Sequence, residues 1–174
     1  MRVIAGQLKG RRLMGPETDD VRPTSDRLRE TLFNVLGPSV SGTRVLDAFG
    51  GTAAVAIEAI SRGAVSAVVY EMAPRAAKVA QANIDHCGVG DRCRLIRSDF
   101  LRSTGAGDFD LVFVDPPYDM PQLEEALAVA AGHLTPEGRL IFEHRRSRQS
   151  PETLWDRTRV RVLEAGDSAL SFYR

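Results

Sequence analysis

The segment VFVDPPYDM, residues 112–120, combines residue types that could do chemistry. An apolar run leads into Asp115, two prolines and Tyr118. Each proline ring fixes its own φ and restricts the residue before it, so the backbone here is held rigidly. A turn that ends a strand would account for the prolines. It would not account for a carboxylate and an aromatic ring placed together at the end of a buried strand.

Three further acids follow predicted strands in the same way, namely Asp47, Glu71 and Asp99. Ligands of parallel α/β sheets bind outside the carboxyl ends of the strands. Four successive strands that each end in an acid therefore predict one shared nucleoside site, although any single acid could be an ordinary surface residue. Glu71 stands 24 positions after Asp47 and could accept both hydroxyls of a ribose.

The loop after Asp47 indicates which kind of nucleoside this site would bind. Gly50 and Gly51 permit a tight turn and close approach of a ligand, but the G-x-G-x-x-G pattern of a dinucleotide site is absent. The carboxylate of Asp47 would repel phosphate and suits a cationic amine. S-adenosylmethionine carries such an amine, a positive sulfonium and a ribose without phosphate, and Asp99 and Phe100 could hold its adenine.

Alternating strands and helices must position these residues. A capped helix is predicted within RPTSDRLRETLFNVLG, ended by Gly37. The pattern then predicts a mostly parallel sheet of seven strands, with helices on both faces and an antiparallel C-terminal hairpin. The predicted strands are TRVLDAF, VSAVVYE, CRLIRSD, DLVFVD, GRLIFEH and two within RTRVRVLEAGDSALSFYR, and the helices between them are TAAVAIEAISRG, PRAAKVAQANIDHCG and MPQLEEALAVAAGHL. Before them, RVIAG and RRLMG predict a short β-hairpin.

Composition fits one domain of 174 residues with 43% hydrophobic and 26% charged residues. No apolar run approaches the roughly 18 residues of a membrane span, and the N-terminus lacks the apolar core of a signal peptide. We expect a cytoplasmic protein without a membrane partner, acting as a monomer. Its two cysteines are expected to be buried free thiols, and its three histidines show no metal-ligand spacing.

Positive charge clusters in two places although the formal net charge is zero. Lys9, Arg11 and Arg12 stand in the N-terminal segment, and a second cluster contains Arg145, Arg146 and Arg148. Arginine makes forked contacts with phosphate, which favours nucleic-acid binding by the first cluster. The alternative is that either cluster is a solvated face.

Taken together, these segments resemble the bacterial RsmD family of 16S rRNA guanine-N2 methyltransferases, within the Rossmann-like class I S-adenosylmethionine-dependent methyltransferases. The resemblance covers essentially the whole chain. It is carried by MRVIAGQLKGRRL, RPTSDRLRETLFNVL, ISRGA and FVDPPY. It implies a small N-terminal hairpin that contacts RNA over residues 1–20 and a methyltransferase domain over 21–174.

The resemblance also assigns roles to residues. A cofactor loop is implied at Asp47, Phe49, Gly50 and Gly51. Glu71 is implied as the acid that binds the ribose, and Met72 as a side chain that lies against the adenine. Asp99 and Phe100 are implied as the adenine-binding pair. The implied catalytic tetrad is Asp115, Pro116, Pro117 and Tyr118. A segment that closes over the methionine end of the cofactor and the RNA is implied at Arg22, Pro23, Thr24 and Arg27, with Thr24 at the cofactor. Further RNA contacts are expected at Lys9, Arg11 and Arg12.

One departure concerns the cofactor loop, where Ala53 and Ala56 replace two glycines of the family pattern. A methyl group is the smallest possible addition at these positions. If Ala53 needs a positive φ, strain of about 1 kcal/mol is expected.

The tetrad has a chemical rationale. The exocyclic amine of a base is a poor nucleophile because its lone pair is delocalised into the ring. Hydrogen-bond acceptors at Asp115 and the Pro116 carbonyl would direct electron density toward the methyl group, and Tyr118 offers a ring for stacking of about 1–3 kcal/mol. Transfer then needs positioning and charge complementarity, without a metal.

The tetrad alone does not distinguish guanine from adenine, so an adenine-N6 methyltransferase acting on DNA or RNA is the main alternative. A chain of 174 residues leaves no room for the separate DNA-recognition domain usual in DNA enzymes. A methyltransferase for small molecules or proteins is disfavoured by the basic N-terminal segment. A binding module without turnover is disfavoured by the intact tetrad and the four acids.

Overall fold

The computed structural model describes residues 1–15, 26–105 and 107–174. In these ranges an eight-stranded sheet has the order β3-β2-β1-β4-β5-β8-β7-β6. The first five strands of that order are parallel, and β8, β7 and β6 continue the sheet in antiparallel pairs. The strands are β1 Arg44–Asp47, β2 Ser66–Tyr70, β3 Cys93–Ile96, β4 Phe109–Val114, β5 Leu134–Arg145, β6 Thr153–Leu154, β7 Arg157–Ala165 and β8 Ser168–Tyr173.

The described ranges contain four α-helices, of which all but the first connect consecutive parallel strands. They are α1 Asp26–Leu36, α2 Ala54–Ser61, α3 Pro74–Cys87 and α4 Leu123–Gly132, with 3-10 turns at Gly37–Val40 and Phe100–Arg102. The predicted α/β architecture, with its parallel sheet and antiparallel C-terminal hairpin, is confirmed. The sequence prediction omitted β6, a two-residue edge strand that is too short to show an alternating pattern.

Two apolar clusters cover the two faces of the sheet. Side chains alternate along a strand, so Val45 of β1 packs in one cluster and its neighbour Leu46 in the other. The first cluster includes residues of α1, α2 and α3, and the second includes Leu127 of α4. Helices on both faces explain why the central strands are continuously apolar.

Helix α2 is buried along its whole length because further elements cover the side that faces away from the sheet. The carboxylate of Glu58 accepts hydrogen bonds from the backbone N–H groups of Ile4, at 2.7 Å, and Ala5, at 3.0 Å. It also pairs with Arg62 at 2.7 Å. Gly6 passes so close that a Cβ there would lie 1.8 Å from the carbonyl oxygen of Ser61.

The two segments of the predicted N-terminal hairpin are joined by backbone hydrogen bonds from Val3 to Arg11, from Gly10 to Val3 and from Leu13 to Met1, but their regular pairing is limited to an isolated antiparallel bridge between Arg2 and Arg12. The physical reason is the contact with α2, because Ile4 and Ala5 donate to Glu58 instead of to an opposite strand. The predicted boundary between residues 20 and 21 lies outside the described residues, so the two-part division stays a prediction.

Two other sequence predictions concern the core and the membrane. Cys87 and Cys93 are buried free cysteines, as expected. Over the described ranges, no helix combines the length and apolar character required to cross a bilayer.

The strand order reverses between β1 and β4, where β2 and β3 lie on one side and β5 on the other. A crevice forms outside the carboxyl ends of the strands at such a reversal. The acids of interest lie at this edge: Asp47 ends β1, Glu71 follows β2 and Asp115 follows β4.

Candidate active site

Asp47 is a buried carboxyl at the end of β1, with 1% of its surface exposed. Burial raises its pKa to about 8, and the negative charges of Asp115 and Glu71 add to the shift, while a backbone hydrogen bond from Ala56 opposes it. Its Oδ2 atom has no hydrogen-bond partner among the described residues. This concentration of acids favours a cationic ligand and disfavours a phosphate.

Glu71 fixes the glycine loop. Its Oε2 accepts a hydrogen bond from the N–H of Gly51 at 2.9 Å, and its Oε1 accepts one from the N–H of Ala73 at 2.7 Å. Each carboxylate oxygen has a second lone pair and can still accept from a ligand hydroxyl. Gly50 packs against β2, where an added Cβ would lie 2.1 Å from Cγ1 of Val69. Any other residue at position 50 would therefore require the Val69 side chain to move.

Ala53 adopts the left-handed conformation, with φ 62° and ψ 19°, immediately before α2. The positive φ considered from the sequence is confirmed. Such a conformation costs an L-residue about 1–2 kcal/mol because Cβ crowds the following carbonyl. Ala56, the other replaced glycine, lies inside α2 and is not among the residues with positive φ in the described ranges.

The predicted adenine-binding residues differ in accessibility. Asp99 caps the 3-10 turn that follows it, since its Oδ1 accepts from the N–H of Leu101 at 3.0 Å. The ring of Phe100 is 2% exposed and packs edge-on against Phe49, at 5.7 Å between centroids. Phe49 is half-buried and Met72 is 66% exposed. Phe49 and Met72 thus present the more accessible surfaces, with Phe100 supporting Phe49 from the core.

The predicted tetrad forms the turn that follows β4. Asp115 and Tyr118 are half-buried, Pro116 is buried and Pro117 is exposed. The hydroxyl of Tyr118 lies 2.9 Å from that of Ser168 on β8. Asp115 is close enough to Asp47 to raise its pKa, so the tetrad and the first strand-end acid share one electrostatic environment.

Two arginines of the second basic cluster contact this turn. The guanidinium carbon of Arg145 lies 4.9 Å from the centroid of the Tyr118 ring. Arg148 donates to the Tyr118 carbonyl at 3.3 Å, and Arg145 lies 3.6 Å from Asp119. Arg146 instead pairs with Glu164 at 2.8 Å. The cluster therefore borders the candidate site, a placement that sequence reasoning did not predict.

Glu143 is a site residue that sequence reasoning missed. It is 4% exposed near the carboxyl end of β5, on the strand next to β4. A small cleft is lined by Glu143 together with Pro116, Pro117 and Tyr118. The available signal was the strand GRLIFEH, which carries an acid near its end like the four strands before it.

The residues predicted to contact RNA are exposed wherever the structure describes them. Lys9, Arg11, Arg12 and Arg27 all lie on the surface. Arg11 donates to the His86 carbonyl at the end of α3, at 2.8 Å. Arg22, Pro23 and Thr24 lie outside the described residues, so their roles stay predictions. Within the described part of the chain, no three His, Cys, Asp or Glu side chains are grouped so that they could hold a metal ion.

Comparison with known proteins places the chain in a family. The family model described as "Conserved hypothetical protein 95" matches residues 1–174. "Putative rRNA methyltransferase YlbH" of Bacillus subtilis (strain 168) is 31% identical over 181 residues, covering 100% of this chain and 98% of the relative.

Two proteins of Escherichia coli extend this comparison. "Ribosomal RNA small subunit methyltransferase D" of strain K12 is 38% identical over 130 residues, which are 73% of this chain and 65% of the relative. The solved structure "Putative methyltransferase yhhF from Escherichia coli" superposes with a TM-score of 0.87 and 33% identity, covering 99% of this chain and 96% of that one. The chain belongs to the family described as conserved hypothetical protein 95, and the resemblance to RsmD proteins drawn from its sequence is confirmed.

Proposed function

We propose that this protein transfers a methyl group from S-adenosylmethionine to the exocyclic 2-amino group of a guanine in the 16S rRNA of the small ribosomal subunit. The observation that carries the proposal is the placement of Asp115, in the tetrad, beside the buried Asp47, since Asp47 pairs with Phe113 of the adjacent parallel strand and Asp115 follows Phe113 by two residues. This placement supports a subsite for the methyl donor next to a subsite for the base that accepts the methyl group, both at one edge of the sheet. The names of the relatives from Bacillus subtilis and Escherichia coli support rRNA as the substrate class.

The residues at this edge fit S-adenosylmethionine. The Oδ2 atom of Asp47, for which no described residue is a hydrogen-bond partner, suits a cationic amine, and the carboxylate of Glu71 can accept from ribose hydroxyls. Phe49 and Met72 offer apolar contact for an adenine. When bound, this cofactor supplies an electrophilic methyl group on a sulfonium.

The chain's own residues would prepare the acceptor amine. Asp115 and the Pro116 carbonyl accept its hydrogen bonds, which orient the amine and raise the electron density on its nitrogen. The two prolines hold these acceptors in fixed positions, so no reorganisation is needed during transfer. Tyr118, with its hydroxyl close to Ser168, provides a fixed ring for stacking. A base in a paired helix would have to leave the stack to reach this turn.

The exposed basic residues support contact with the RNA backbone. Lys9, Arg11 and Arg12 lie on the N-terminal extension that packs on α2, and Arg27 lies in the first turn of α1. We expect them to bind phosphates with little sequence preference. A cytoplasmic, monomeric enzyme is part of this proposal.

A transfer assay with radiolabelled S-adenosylmethionine tests the proposal. The acceptors are small ribosomal subunits from a strain that lacks the gene, free 16S rRNA, double-stranded DNA and bulk protein. Label is expected in the small-subunit RNA, either free or assembled. Labelling of DNA or protein alone would contradict the proposal, and absence of transfer to every acceptor would favour a binding module.

A further inference from the structure

Glu143 extends the row of acids along the sheet edge by one strand. The register pairs Val114 of β4 with Phe142 of β5, so Asp115 and Glu143 are the next residues on adjacent parallel strands. Adjacent strands are about 4.8 Å apart. Ile141, two residues before Glu143, packs in the same core cluster as Val45 of β1, two residues before Asp47. Glu143 therefore lies on the face of the sheet that carries Asp47.

The side chain of Glu143 lines the same cleft as the tetrad. Pro116, Pro117 and Tyr118 line it from the turn, and Arg145 and Arg148 line it from the end of β5 and the residues beyond. Glu143 is 4% exposed, which distinguishes it from the exposed arginines. A buried carboxylate needs hydrogen-bond donors to offset the free-energy cost of its burial, and a ligand in this cleft could supply one.

The hydrogen-bonding patterns of guanine and adenine indicate what a carboxylate at position 143 could recognise. Guanine carries a hydrogen on ring nitrogen N1, next to its 2-amino group, so both neighbouring atoms donate. Adenine carries a lone pair on N1. A carboxylate can accept a hydrogen bond from the N1–H of guanine. Opposite adenine, the carboxylate oxygen would face the lone pair on N1, and no hydrogen bond would form.

We infer that Glu143 accepts the N1–H of the target base and so selects guanine over adenine. This inference rests on the proposed function and deepens it, because Asp115 and Pro116 bind the amine of either purine. A site built to bind one hydrogen-bond pattern rejects a base with the opposite pattern by about tenfold or more. Glu143 would thus supply the discrimination that the tetrad lacks.

The experiment uses small-subunit RNA synthesised with guanine, 2,6-diaminopurine or adenine at the mapped acceptor position. Diaminopurine keeps the 2-amino group but has a lone pair on N1. For the wild-type protein we expect kcat/KM at least about tenfold higher with guanine than with diaminopurine. For Glu143→Gln we expect a ratio near one, because an amide can turn either its oxygen or its NH₂ toward N1.

Glu137→Gln is the matched control, since Glu137 is exposed at the opposite end of β5 and should leave the ratio unchanged. Equal use of guanine and diaminopurine by the wild-type protein would overturn the inference without any variant. So would an unchanged ratio in a folded Glu143→Gln protein, which would assign Glu143 a purely structural role. Transfer to adenine alone would instead refute the proposed function itself.

Discussion

The guanidinium group of Arg145 covers one face of the Tyr118 ring at 4.9 Å. The arginine is half-exposed, so this contact contributes about 0.5–1 kcal/mol. It fixes the ring between Arg145 on one face and, in the proposed complex, the target base on the other.

Replacing Arg145 with alanine is therefore expected to lower kcat/KM for RNA by about three- to tenfold, because the ring loses its support and the RNA loses a nearby positive charge. Binding of S-adenosylmethionine should not change. Arg146→Ala is the control, since Arg146 pairs with Glu164 rather than with the turn. Faster transfer by Arg145→Ala would mean that the arginine competes with the base for the ring.

The raised pKa of Asp47 predicts a specific dependence of stability on pH. The pKa of about 8 means that the folded protein holds the carboxyl proton up to about pH 8, whereas the unfolded chain releases it near the ordinary aspartate pKa of 3.8. The free energy of unfolding should therefore fall as pH rises through this window. Urea unfolding should show the stability of Asp47→Asn, relative to wild type, increasing from pH 5 to pH 8. A constant difference would contradict the assigned cause.

The same carboxyl should couple cofactor binding to proton release. A cation beside Asp47 favours its ionised form, so binding of S-adenosylmethionine at pH 7 displaces the proton from the wild-type protein. Calorimetry in two buffers of different ionisation enthalpy should detect this release. Asp47→Asn should show less release in the same buffers, and equal release would argue against Asp47 as the source.

A comparison of glycine substitutions at Ala53 and Ala56 tests for backbone strain in the cofactor loop. Both are fully buried, so replacement of either by glycine removes a similar methyl group and adds similar chain entropy. Of these two residues, Ala53 alone has a left-handed backbone. We expect Ala53→Gly to be more stable than Ala56→Gly by about 1–2 kcal/mol in the free energy of unfolding. Equal stabilities would show that the loop relaxes around Ala53.

The acids at the sheet edge could be predicted from sequence because each follows an apolar strand whose end is visible locally. Asp47, Glu71 and Asp115 are found together as expected. Glu143 was missed because His144 follows it inside the predicted strand GRLIFEH, so the acid was near the predicted strand end without marking it.

Contacts between distant segments were beyond prediction. Tyr118 and Ser168 are 50 residues apart, and their contact depends on the register of β8 against β5. The hairpin prediction relied on local turn residues. It could not include Glu58, which lies more than 50 residues away and takes the backbone donors of Ile4 and Ala5.

The N-terminal basic residues are expected to bind RNA rather than the cofactor. The double variant Arg11→Gln, Arg12→Gln should raise the dissociation constant for RNA about tenfold at low salt and reduce its salt slope by about one to two. The dissociation constant for S-adenosylmethionine should stay the same. Arg94→Gln with Arg161→Gln removes two exposed arginines from β3 and β7 as a control for total charge. An equal loss of RNA affinity in both double variants would mean that the N-terminal extension has no special role in RNA binding.

The most direct test identifies the methylated nucleoside. Small subunits from a strain that lacks the gene are incubated with S-adenosylmethionine bearing a deuterated methyl group, and the nucleosides of their 16S rRNA are analysed by mass spectrometry. The wild-type protein is predicted to produce deuterated N2-methylguanosine. Asp115→Ala should produce none while still binding the cofactor, because the acceptor for the amine is lost. Deuterated N6-methyladenosine, or equal labelling by Asp115→Ala, would contradict the proposed reaction.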